Sequence, residues 1–285
     1  MYVLKRKRTI LLVLSLLEYL MRSGVIDDTA LAKLLRQDKA IIVVGASAIA
    51  LLGWAYLFYQ GWAMQHMDLV PMAMPSTGTW GPVDLLLVFA MWAVMMVAMM
   101  VPSATPMLLV FATISRSRCG QGRTFVPLWV FLAGYLVLWT AFSLGATLAQ
   151  WGLQSLALIS PIMVSTSPLL SGLFLVMAGV YQWTPLKQAC LRHCRSPFQF
   201  LVTCWQDGSV GAFLMGLRHG AYCLGCCWLL MAVLFAVGVM NLVWIAALSV
   251  FVLFEKIIPR GIWVAKLAGV FLMSLGGWMA LSGRA

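Results

Sequence analysis

Charge is what this chain lacks. Only 8 of its 285 residues are acidic and 9% are charged, against about 25% in an ordinary soluble domain. So few ionised groups do not solvate a globule in water. Histidine is also scarce, with three in the chain, and none stands in a His-Glu-x-x-His helix. No phosphate-binding glycine loop and no Ser-His-Asp grouping is present, so nucleotide and conventional hydrolase chemistry have no support.

Apolar sequence is what the chain has instead: 63% of residues are hydrophobic and the mean hydropathy is +0.96. Several runs of about eighteen or more residues carry little or no charge, the signature of membrane-spanning helices. The expected fold is an all-α, polytopic helical membrane protein with about seven transmembrane helices, at 41–62, 83–113, 125–149, 168–184, 209–239, 241–258 and 262–282. Pro102 and Pro106 should kink or break the end of the second span. The uncharged linker 150–167 is expected to dip into the interface, and 185–208 reads as a polar loop.

The net charge of +11 would suggest nucleic acid in a soluble protein. Here the basic residues sit in short loops at helix ends, so topology accounts for them and nucleic acid is not an expected partner. Eight of the 19 Lys and Arg lie in residues 1–40, and nearly all the rest fall at the ends of the second, fourth and sixth spans. The positive-inside rule then gives N-in, C-out. Residues 1–40 read as a basic, amphipathic cytoplasmic extension, with no cleavage site after its apolar stretch. Residues 41–285 read as a single polytopic domain, multi-pass in a bacterial inner membrane with the lipid bilayer as its first partner.

On that map all seven cysteines fall in loops on the inner side or in the inner half of the membrane, which predicts free thiols in a reducing compartment. His219, Cys223, Cys226 and Cys227 follow the helical period and share one stripe. Cys190, His193 and Cys194 lie on one face if their segment is helical. In the second span Met91, Met95 and Met99 repeat every four residues, with Met96 and Met100 in a row beside them. Met64, His66 and Met67 stand in the outer loop. Thioethers outside and thiols inside are what Cu(I) would meet while moving inward by ligand exchange, since soft sulfur ligands select Cu(I). Zn(II) also suits the Cys/His group. Glu255, an intramembrane acid, is a candidate proton acceptor or partner of Arg218, unless it merely reaches the headgroups.

Blocks of this sequence resemble a bacterial family of uncharacterised, predicted metal-binding integral membrane proteins. The resemblance rests on MWAVMMVAMMVPSATPM at 91–107, GVYQWTPLKQACLRHCRSP at 179–197, GAYCLGCCWLLM at 220–231 and GVMNLVWIAALSVFVLFEK at 238–256. It implies a polytopic membrane protein with a metal site. The residues themselves favour an inner-membrane protein that binds Cu(I) for uptake, or for delivery to a metallochaperone or apoprotein partner. A membrane thiol/redox enzyme, or an assembly protein whose Met and Cys rows only pack helices, are the alternatives. A copper route also requires the second and fifth spans to lie close together.

Overall fold

The computed structural model describes residues 28–66, 80–120, 126–160, 167–258 and 261–282. The chain divides into two compact units, residues 1–42 and 43–285; the second holds every candidate ligand. Helix α1 spans Asp28–Gln65, α2 Pro82–Gly120, α3 Leu128–Ser155, α4 Pro168–Tyr181 and α5 Pro185–Cys194. Then follow α6 at Pro197–Cys204, α7 at Gly208–Ala232, the short α8 at Leu234–Val237, α9 at Leu242–Ile257 and α10 at Gly261–Ser282. Among the described residues there is no β-strand.

Several boundaries differ from expectation for readable reasons. Residues 185–208 are mostly helical, because three helix starts carry a hydroxyl followed by proline: Ser167–Pro168, Thr184–Pro185 and Ser196–Pro197. Proline at the first helical position lacks only an N–H that had no partner anyway. Thr184 and Ser167 add side-chain caps, accepting from Lys187 N and Leu170 N. Pro102 and Pro106 do not break α2, which runs 39 residues through both. α3 continues to Ser155, shortening the expected linker. The fifth apolar run divides at Val233 and ends where Gly238 takes φ 100°.

The described helices of span length number fewer than the seven expected. Among the described residues five helices are long and apolar enough to cross a membrane: Lys39–Met64 of α1, α2, α3, Gly208–Val237 and α10. α4 and α5 together make a sixth only as a pair bent by 67°. α9 has 16 residues, fewer than the roughly 20 a bilayer crossing takes.

Helix packing is closest where glycine replaces a side chain. α3 lies along α7, with Gly134 against Phe213 O and Gly216 against Phe131 O, where an added Cβ would sit 2.2 and 2.0 Å from those carbonyls. α4 lies along α10 in the same manner. A Cβ at Gly172 would be 2.6 Å from Gly276 O, and one at Gly179 would be 2.7 Å from Gly269 O. These glycines recur seven residues apart on both helices and pair in opposite order, giving an antiparallel small-residue seam. Enclosed between the helices is one core that contains both the methionine rows and the α7 cysteines.

Candidate metal centre

The stripe on α7 faces inward throughout: His219 is 3% exposed and Cys223, Cys226 and Cys227 are each 0%. Cys223 is the hub. Its Sγ lies 3.2 Å from the Tyr135 hydroxyl of α3 and accepts a hydrogen bond from Lys256 Nζ of α9 at 3.0 Å. The same ammonium donates to Ser103 Oγ of α2 at 2.8 Å. Tyr135 also donates to Met100 O at 3.3 Å. One thiol therefore gathers contributions from three neighbouring helices.

The other thiols surround it. Cys226 and Cys227 donate back to Cys223 O at 3.1 and 2.9 Å, folded against their own helix. From α5, half-buried Cys194 brings a fourth thiol against the core that holds Cys223 and Cys226. Cys190, one turn earlier, rests on Gly225, where a Cβ would stand 2.8 Å from its Sγ. Gly225 is thus the notch that admits α5 to the cysteine stripe. All seven cysteines are free thiols.

His193 goes elsewhere. Its ring is exposed, stacks on Tyr222 at 4.2 Å and 4°, and holds Ala189 O through Nδ1 at 2.9 Å. His219 does face the cluster region: its ring stacks on Tyr135 at 5.6 Å, and its buried Nδ1 has no hydrogen-bond partner among the described residues. Buried polar atoms almost always find a partner, so an unpartnered imidazole nitrogen one helical turn from Cys223 is ligand-type chemistry in reserve.

Both methionine rows are interior. Met95, Met96 and Met100 are 0% exposed, Met99 is 1% and Met91 is 5%. Against the close approach that a copper route requires, α2 packs little on α7; α3 and α9 connect them, Tyr135 touching the backbone carbonyl of Met100 and Lys256 touching Ser103. Met64 is half-buried near the end of α1. Just beyond it, His66 stacks on Trp62 at 4.7 Å, with Nδ1 3.0 Å from Trp62 O. Met67 lies outside the described residues.

Glu255 corrects the headgroup-reaching expectation. It is 1% exposed, and its Oε1 stands 2.7 Å from Lys187 Nζ, which is 0% exposed. Lys187 also donates to Gln182 Oε1. Arg218 is exposed on α7, so the partner of Glu255 is Lys187. Lys256, Tyr135 and Ser103 were not singled out from sequence. A lysine three residues before Pro259 reads as interfacial, and Tyr135 and Ser103 carry no local pattern; only the fold brings them to Cys223.

The donors fit a soft cation. Thiolates and imidazole are ligands that Cu(I) prefers. Among the described residues no three Cys, His, Asp or Glu side chains already converge on one point, because Cys226 and Cys227 are held on Cys223 O. Turning either sulfur toward an ion would release its hydrogen bond, worth about 1 kcal/mol.

Fold and site together define a helical protein with helices long and apolar enough to cross a membrane, whose core holds both the α7 cysteines and buried thioether rows. Residues 89–279 match the family model described as PpoB2, copper chaperone. The match covers well over half of the chain, which belongs to that family. No curated protein and no solved structure matches the chain.

Proposed function

We propose that this protein is a multi-pass inner-membrane copper handler that takes Cu(I) from the outer side and delivers it to an apoprotein or metallochaperone on the inner side. The observation that carries this reading is the buried group of Cys223, Cys226 and Cys227 in one core with the methionine rows of α2, with half-buried Cys194 packed against it. Copper is the cargo. Met64, His66 and Met67 would meet it first, and Met91, Met95, Met96, Met99 and Met100 would offer neutral thioethers of low affinity. The thiols would hold it more firmly, with His219 as an additional donor. Passage through a series of exchangeable sites needs no site so tight that the ion cannot leave. Cys190 and Cys194 on α5 would lie on the exit side. Orientation with the N-terminus inside, and residues 1–40 as a surface-lying extension, belong to the same proposal.

The test is elemental analysis of the full chain purified in detergent under reducing conditions, beside the Cys223→Ser/Cys226→Ser double variant. The expected result is about one copper per chain, absent from the double variant. Zinc in place of copper, lost in the same variant, would keep the site and change its cargo. No metal in the folded wild type would overturn the reading.

A further inference from the structure

The charges around the cluster, two buried and one half-buried, do not cancel. Among the described residues Glu255 is the only buried carboxylate, and its charge is answered by Lys187 at 2.7 Å. Lys256 follows Glu255 directly in sequence, but its Nζ points elsewhere, to Ser103 Oγ at 2.8 Å and Cys223 Sγ at 3.0 Å. The remaining groups around Cys223 are the Tyr135 hydroxyl, the His219 imidazole and the thiols of Cys194, Cys226 and Cys227. One ammonium is therefore held against the hub sulfur with no carboxylate of its own.

Resting on the copper reading above, we infer that Lys256 is the fixed counter-cation of the metal centre and sets its preference for a monovalent soft ion over a divalent one. The count is made for an ion held by two of the thiols, the number that two-coordinate Cu(I) takes; a third bound thiolate would make the Zn(II) assembly the neutral one. A pair of thiolates holding Cu(I) carries one net negative charge, and the Lys256 ammonium brings the assembly to neutrality. The same pair holding Zn(II) is already neutral, and Lys256 then leaves one positive charge uncompensated. In a low-dielectric core an unbalanced charge is strongly disfavoured. Ser103 is the positioning residue: its hydroxyl, on α2, keeps Nζ at the sulfur. Tyr135 approaches the same sulfur as a neutral hydroxyl and leaves the count unchanged.

The experiment measures Cu(I) affinity by competition with bicinchoninate, and Zn(II) affinity by competition with a chromogenic chelator. It uses the full chain in detergent as wild type, Lys256→Met, Lys256→Gln, Lys256→Arg and Ser103→Ala. Lys256→Met and Lys256→Gln are expected to lower the Cu(I)-to-Zn(II) affinity ratio about tenfold or more, and Lys256→Arg is expected to restore it. Ser103→Ala is expected to shift the ratio in the same direction by a smaller factor. A merely structural lysine would weaken both ions together and leave the ratio in place. An unchanged ratio in whichever neutral variant folds, or tighter Cu(I) binding than wild type, overturns the inference. Cys223→Ser separates this from the site itself. If that variant keeps full copper, or if the wild type takes none, the copper reading and the inference both fall; a normal wild type with an unmoved ratio removes only the role of Lys256.

Discussion

Lys187 Nζ and Glu255 Oε1 stand 2.7 Å apart with both side chains sealed from solvent, tying α5 to α9 beside the thiol cluster. Removing one partner of such a pair strands a buried charge, which costs about 3–5 kcal/mol. Lys187→Met should therefore destabilise the protein by about that amount. The double variant Lys187→Met/Glu255→Leu should recover most of the loss, since an apolar replacement of both ions is often neutral. Denaturant unfolding in detergent, followed by tryptophan fluorescence, decides the matter. Equal losses in single and double variants would show that packing, not charge, is at stake.

The seam between α4 and α10 gives a paired test on adjacent residues. A Cβ at Gly276 meets Gly172 O at 2.7 Å, whereas one at Gly277 meets nothing within 4 Å. Gly276→Ala should cost about 1–3 kcal/mol through overpacking. Gly277→Ala should be neutral or stabilising by up to about 1 kcal/mol, because alanine favours the helix over glycine. A similar thermal midpoint for both would contradict the packing described.

Replacing the transit methionines should separate rate from capacity. Met95→Leu/Met99→Leu keeps volume and apolarity, so stability should change by less than about 1.5 kcal/mol. Copper bound at equilibrium should match wild type, because the thiols remain, while loading followed by stopped-flow should slow. Loading at the wild-type rate would reduce those side chains to core packing.

Sidedness is open to labelling. Cys119 is exposed at the end of α2, and Ser282 is exposed at the end of α10. With Cys119 or an introduced Ser282→Cys as the sole reactive thiol, a membrane-impermeant maleimide should reach Cys119 only after the membrane is opened. It should reach Ser282→Cys from outside in intact cells. Both positions reacting from one side would mean an even number of crossings between them, as when the bent α4–α5 pair crosses the membrane and α9 does not.

Much of the fold was legible because its signals are local. Length and apolarity mark α1, α2, α3, α7 and α10, and the 3.6-residue period places Cys223, Cys226 and Cys227 on one buried face of α7. What escaped was tertiary. His193 and Cys194 are neighbours in sequence but about 100° apart around a helix, and only the position of α7 decides that Cys194 turns inward while His193 stacks on Tyr222. Lys256 and Lys187 read as interfacial from their polar surroundings, yet each reaches a buried partner on another helix. The Thr184–Pro185 and Ser196–Pro197 pairs were a local signal for helix starts inside the expected loop, masked by the charges that follow.

The glycine seam also bears on biosynthesis. Gly172 leaves the ribosome long before Gly276, the residue it must meet. At about 5–20 residues per second the interval is roughly 5–20 s. During that time the notched face of α4 has no permanent neighbour, and the thiols of α7 are made and inserted before the bundle closes. The last helix synthesised is thus the clasp, so a nascent chain released before α10 should reach the bilayer as an open bundle, a ready target for membrane proteases.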